Sequence, residues 1–160
     1  MIYEVPSHYF LCTGAADGVS ELNAFDQALL DAGVGDTNLV RLSSILPPDC
    51  RQVEPFTIPA GALTPVAYAK MTSATAGETI ASAVAIGIPV DSTLPGLIME
   101  YHGRVTEAEA LSRVREMAIS GMQHRQRAIK EVLSVGISHR VESHGAAFAG
   151  VVLWNNDGRT

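Results

Sequence analysis

Between Thr79 and Ile88 the chain alternates two kinds of side chain, and this limits the folds open to it. Ile80, Val84, Ile86 and Ile88 point one way, while Thr79, Ala81, Ala83, Ala85 and Gly87 point the other, as residues two apart on a strand do. A face of alanine and glycine lets another sheet approach more closely than the usual spacing of about 10 Å. Ala146-Ala147-Phe148-Ala149-Gly150 offers a second small-residue surface near the C-terminus. The pattern is expected to build two sheets stacked face to face, with small residues between them. A buried alanine-rich helix is the competing reading, and the β-branched residues and Pro89 count against it.

Other strands are read at Tyr9 to Cys12, Asn38 to Ser43, Val66 to Ala74, Leu97 to Tyr101, Leu133 to Val141 and Ala147 to Trp154. A first helix runs from about Ser20 to Ala32, with Ser20 as N-cap and Gly33 as stop. A second begins at the capping box Thr106-Glu107-Ala108-Glu109. Leu111, Val114, Ala118, Gly121, Met122, Ile129 and Val132 follow at helical spacing. Arg113, Arg115, Arg127 and Lys130 fall mainly on its other face, read as solvated. The two helices can cover the outer faces of the stacked sheets. No repeat or linker divides the 160 residues, so a single domain is expected.

Composition narrows the function. Apolar residues make up 47 % of the chain and charged residues 18 %, which argues against disorder. The net charge of −6, with no block of Lys or Arg, makes nucleic acid or an anionic membrane surface a poor partner. It suits an oligomer that buries part of its apolar surface. Met1-Ile2-Tyr3-Glu4-Val5-Pro6 lacks the basic and apolar regions of a secretion signal. Apolar stretches are broken well before membrane-spanning length. Cys12 and Cys50 form neither a disulfide framework nor a zinc site, so reduced thiols in a cytoplasmic protein are expected. His139 and His144 lack the partners of a metal site, and His8, His102 and His124 are equally unsupported.

Three places carry candidate chemistry. On the first helix Leu22, Phe25, Leu29, Leu30 and Ala32 define an apolar arc, and Asp26 falls inside it, between the directions of Leu29 and Leu30. A carboxylate buried there needs a partner: a backbone cap, a neighbouring side chain or a cationic ligand. Glu100 lies among Leu97-Ile98-Met99-Glu100-Tyr101, on one strand face with Ile98. It is either a proton donor or a rim residue of a half-exposed sheet. Ser43-Ser44 ends a strand just before Ile45-Leu46-Pro47-Pro48. A serine hydroxyl at such a strand end can attack the preceding carbonyl if the peptide is distorted and the oxyanion has a donor. The Asn38 side-chain amide is a candidate donor.

These places together resemble the pyruvoyl-dependent arginine decarboxylases. The matching segments are Leu22-Asn23-Ala24-Phe25-Asp26, Asn38 through Pro48, Pro59-Ala60-Gly61-Ala62-Leu63, Gly77-Glu78-Thr79-Ile80, Gly96-Leu97-Ile98-Met99-Glu100-Tyr101, and Ala146-Ala147-Phe148-Ala149 before Trp154. The likeness runs in order through nearly the whole chain, thinning over the first dozen residues and after Trp154. It implies an α+β fold, a four-layer αββα sandwich with two stacked, mainly antiparallel sheets, assembled as homotrimers or a multiple of them.

The resemblance also implies a proenzyme that cleaves itself between Ser43 and Ser44, into residues 1–43 and 44–160. Ser44 Oγ would attack the Ser43 carbonyl to give an ester, with Asn38 supporting the rearrangement. Elimination, then loss of ammonia, would leave a covalent pyruvoyl group in place of Ser44. That ketone would form a Schiff base with the substrate amine and act as electron sink when CO2 leaves, so neither pyridoxal phosphate nor a metal is needed. Glu100 would donate the proton to the α-carbon, and Asp26 would bind the guanidinium of arginine. Agmatine would be the product, in polyamine synthesis or acid resistance. A decarboxylase of another amino acid and a non-processing, ligand-binding oligomer are the alternatives.

Overall fold

A computed structural model describes residues 4–155. Met1 to Tyr3, which open the segment read for a secretion signal, lie outside the described residues. The elements run β1 (His8–Asp17), α1 (Glu21–Asp31), β2 (Asn38–Arg41), β3 (Ile45–Leu46), β4 (Arg51–Gln52), β5 (Leu63–Ser73), β6 (Thr79–Pro89), β7 (Gly96–Gly103), α2 (Glu107–His124), β8 (Ile129–Arg140) and β9 (Gly145–Trp154). They form a five-stranded sheet of order β2-β5-β9-β1-β4 and a four-stranded sheet of order β3-β7-β6-β8. All pairings are antiparallel except the short β2–β5 and β1–β4 pairs. β1 is longer than its sequence suggested, because β9 pairs with it from His8 to Asp17.

The strand pattern is right and its partner is not. The small face of β6, Ala81, Ala83 and Ala85, packs under α2 against Ala110, Val114 and Ala118, not against the other sheet. Met122 fills the space at Gly87, where a Cβ would lie 2.5 Å from its Cγ. Val84 and Ile86 instead point between the sheets, with Ile98 from β7, and meet Ala67, Ala149 and Val151 of the five-stranded sheet. Fully burying a valine or isoleucine contributes about 1.5–3 kcal/mol, so the inter-sheet layer is a main source of stability. Its small residues come from β5 and β9, which fits the C-terminal alanines read above. Buried Ser82 ties the layers together, donating from Oγ to the Ala147 carbonyl at 2.9 Å.

α1 covers the outer face of the five-stranded sheet. Ser20 caps it by accepting the Asn23 N–H at 3.1 Å, and Gly33 leaves it at φ 81°. The buried face is centred on Ala24 and Ala28, which pack with Phe10, Val66, Phe148 and Val152. Alanines allow close approach: a Cβ on Gly14 of β1 would lie 2.0 Å from the Ala28 carbonyl oxygen. This overturns the apolar-arc reading of Asp26. Leu22 and Leu30 are 76 % and 46 % exposed, and Asp26 between them is exposed too. The buried stripe runs along Ala24 and Ala28 with Phe25 and Leu29 at its margin, so Leu22, Asp26 and Leu30 face outward.

α2 covers the four-stranded sheet and completes the four layers. Thr106 Oγ1 accepts the Glu109 N–H at 3.2 Å, as the capping box implies. The helix ends at His124, and Gln126, at φ 54°, turns the chain back. Ile129 and Val132 therefore belong to β8, not to a longer helix, since β6 takes hydrogen bonds from β8 along its whole length. Arg115 bridges α2 to β8 through the Val132 carbonyl at 2.9 Å. His139 Nε2 lies 2.7 Å from Asp17 Oδ1, and Asp17 Oδ2 accepts the Glu142 and Ser143 N–H groups. This cluster holds the end of β1 to the β8–β9 turn. Among the described residues no three His, Cys, Asp or Glu gather as a metal-ligand set.

Candidate active site

The Ser43–Ser44 peptide lies where the chain crosses between the sheets. β2 runs parallel to β5 at the edge of the five-stranded sheet, and the Leu42 N–H still donates to the Val66 carbonyl at 3.0 Å. Three residues later Ile45 pairs with Leu97 in the four-stranded sheet. The crossing is tight, and Ser44 makes it with φ 83°. A left-handed conformation costs a residue with a Cβ about 1–2 kcal/mol. It persists because the Ser44 carbonyl is held by the Ile98 N–H at 2.9 Å.

This turn aims the Ser44 side chain inward. Ser44 is buried, and its hydroxyl donates a hydrogen bond to Glu100 Oε1. Glu100 is half-buried on β7, opposite Val84 and on the strand face it shares with Ile98. A carboxylate on the hydroxyl can take its proton as the oxygen attacks, and can return a proton at the same place later. Glu100 thus has a partner before any substrate is present.

Ser44 and Glu100, 56 residues apart in sequence, are brought together. Asn38 and Asp26 do not join them within one chain. Asn38 begins β2 and is exposed, and its Nδ2 donates to the Gly61 carbonyl at 3.0 Å. Five residues of extended chain span roughly 16 Å, out of reach of the Ser43 carbonyl. Asp26 stands on the outer helix, with the five-stranded sheet between it and Glu100. The positive φ of Ser44 had no signal in the sequence, because serine is not a residue that favours it.

The site opens toward one edge of the sandwich. β3 pairs with β7 only at Leu97 and Gly96, so β7 from Met99 to Gly103 has no strand on that side among the described residues. Among the described residues β5 is likewise without a strand on that side beyond Val66. Val40, Ile45 and Leu63 are exposed along the same edge. A groove of about 630 Å³ lies on the other face of β7, lined by Met99, Tyr101, Met117 and Gly121, and contains neither Ser44 nor Glu100.

Known proteins match the chain over nearly its full length. The profile of the family described as pyruvoyl-dependent arginine decarboxylase covers residues 8–157. A pyruvoyl-dependent arginine decarboxylase from Methanocaldococcus jannaschii is 44 % identical over 152 residues, 95 % of this chain and 92 % of its own. One from Pyrococcus abyssi is 37 % identical over 157 residues, 96 % of this chain and 99 % of its own. A solved pyruvoyl-dependent histidine decarboxylase chain aligns with a TM-score of 0.49 at 16 % identity, over 86 % of this chain and 62 % of its own, too distant to bear on the assignment. With its profile matched almost end to end and relatives well above 30 % identity, this chain belongs to the pyruvoyl-dependent arginine decarboxylase family.

Proposed function

We propose that this chain converts L-arginine to agmatine and CO2 on a pyruvoyl group that it makes from Ser44. The observation that carries the proposal is the Ser44 hydroxyl on the Glu100 carboxylate, at a left-handed Ser44 stretched between two sheets. As Ser44 Oγ attacks the Ser43 carbonyl carbon, its proton passes to Glu100. The Ser43–Ser44 C–N bond breaks, and the Ser44 nitrogen keeps its hydrogen and gains one. Loss of the Ser44 α-hydrogen then expels the Ser43 carboxylate, leaving residues 1–43 and 44–160 as separate chains. The dehydroalanine left at position 44 shifts to an imine, which water hydrolyses with release of ammonia. The ketone so formed supplies an electrophile for the substrate amine and a sink for the electron pair released with CO2. Glu100, still beside position 44, returns a proton to the substrate α-carbon.

Asp26 binds the substrate guanidinium in this reading, its two oxygens matching the planar fork. Asn38 supports the rearrangement at Ser43. Because neither reaches Ser44 in its own chain, both roles need an adjacent protomer, and a homotrimer closing around the open β5 and β7 edges would supply one. Unpaired strand edges and exposed Val40, Ile45 and Leu63 support such an assembly. No helix among the described residues is long and apolar enough to cross a membrane. The unbridged Cys12 and Cys50 fit a reducing, cytoplasmic setting.

Denaturing mass spectrometry of purified protein, paired with agmatine assay, tests this. The expected result is two chains, the larger lighter by one ammonia than hydrolysis would leave it. Ser44→Ala should stay whole and inactive. An active enzyme made of one intact chain would refute the proposal.

A further inference from the structure

We propose that Arg41 is a positioning residue for self-cleavage: its guanidinium occupies the backbone acceptor that would otherwise hold Ser44 in the five-stranded sheet. The inference rests on Ser43–Ser44 being the cleaved bond. In a parallel ladder, donors two residues apart meet acceptors two residues apart. The Asn38 N–H donates to the Ala62 carbonyl at 2.9 Å, and the Leu42 N–H to the Val66 carbonyl at 3.0 Å. The next rung in that register pairs the Ser44 N–H with the Tyr68 carbonyl. That rung is not made. Arg41 Nη2 donates to the Tyr68 carbonyl instead, at 3.0 Å, and the guanidinium carbon lies 4.6 Å from the centre of the Tyr68 ring.

The substitution of one donor for another diverts the chain. With the guanidinium competing for the Tyr68 carbonyl, β2 stops at Arg41 and Ser44 turns toward the other sheet. There its carbonyl meets the Ile98 N–H and its hydroxyl meets Glu100. A left-handed serine persists only when the flanking structure over-determines it. Ile98 provides the hold downstream of the scissile bond, and Leu42 with Arg41 provides it upstream. Without the guanidinium, the Tyr68 carbonyl can recruit the Ser44 N–H, extending residues 42–44 along β5 and drawing the hydroxyl off Glu100. The side-chain hydrogen bond and stacking of Arg41 both go to Tyr68, and neither touches Ser44 or Glu100.

The test follows freshly folded full-length precursor by denaturing mass spectrometry, comparing wild type, Arg41→Met and Arg41→Lys. Melting temperatures are measured in the non-cleaving Ser44→Ala background. Arg41→Met should cleave about tenfold more slowly, equivalent to about 1.4 kcal/mol of barrier. Arg41→Lys, which keeps a cation and a donor, should recover part of the rate. In the Ser44→Ala background Arg41→Met should shift melting by less than about 2 °C. Once matured, Arg41→Met should form agmatine at the wild-type rate per pyruvoyl group. Wild-type cleavage by Arg41→Met overturns the proposal, as does slow cleavage that merely tracks lost thermal stability. A wild-type chain that never cleaves removes the reading of Ser43–Ser44 and the role of Arg41 with it. Cleavage of wild type beside an equally fast Arg41→Met removes the role of Arg41 alone.

Discussion

Replacing Glu100 with glutamine separates the chemistry at Ser44 from the packing around it. The substituted amide keeps the size of the side chain and an oxygen able to accept the Ser44 hydroxyl, so the precursor should fold as before. Turning a charged acceptor into a neutral one weakens that hydrogen bond by about 1 kcal/mol, a loss of roughly 2–4 °C in melting temperature for a chain of this size. The kinetic effect should be much larger. A positioned acid or base contributes about 10²–10⁴ in rate, or roughly 2.7–5.4 kcal/mol of barrier. Because the Ser44 hydroxyl has its hydrogen bond to Glu100 before cleavage, that loss should fall on precursor cleavage as well as on agmatine formation. Precursor half-life comes from a denaturing time course, and turnover from agmatine released per pyruvoyl group in material left to mature fully. Glu100→Asp, a carboxylate one methylene short, should fall between wild type and glutamine in both assays. If Glu100→Gln cleaves with the wild-type half-life, the carboxylate is not the base for Ser44. If it also turns over normally, Glu100 is a packing residue only.

Asp26→Asn should change stability by less than about 0.5 kcal/mol, since the residue is exposed in the protomer. It should weaken use of arginine by about 2–5 kcal/mol in kcat/KM while sparing uncharged citrulline, and equal loss on both would show that Asp26 does not read the guanidinium. Gly14→Ala places a Cβ 2.0 Å from the Ala28 carbonyl oxygen and 2.7 Å from the Ala32 nitrogen, and urea unfolding of the Ser44→Ala precursor should show a loss of at least about 1–3 kcal/mol. For Asp17, burial alone would raise the pKa, but the His139 hydrogen bond, followed by those of the Ser143 and Glu142 N–H groups, holds it below the usual carboxylate value. The ionised form is thus the one folding favours, so its contribution is full above the unfolded pKa near 4 and fades as pH falls through the lower folded value. Asp17→Asn should therefore destabilise the protein in urea at pH 7, and the difference should shrink toward pH 3; an equal deficit at both would exclude an electrostatic origin.

Local signals were enough for the helix caps and the main strands, though not for the short β3 and β4. Ser20 and Gly33 mark the ends of α1, Thr106 marks the start of α2, and the two-residue alternation of Thr79 to Ile88 marks a strand, because caps, turns and side-chain periods act within a few residues of chain. The serine pair, the buried-strand glutamate and the order of segments were enough for the family, whose motifs are runs of neighbours. What tertiary structure decided is everything that depends on a partner far along the chain. The alanine face of β6 met a helix rather than a sheet, since small residues invite close approach without naming what approaches. The alanines of α1, flanked by Phe25 and Leu29, found the sheet while Leu22 and Leu30 stayed out, which left Asp26 outside. β8 began at Ile129 because the β6 backbone needed partners there, whatever the helical spacing suggested. The Ser44–Glu100 contact joins residues on different strands, and the left-handed Ser44 exists only because Ile98 on one sheet and Leu42 on the other pull the chain across the gap between them.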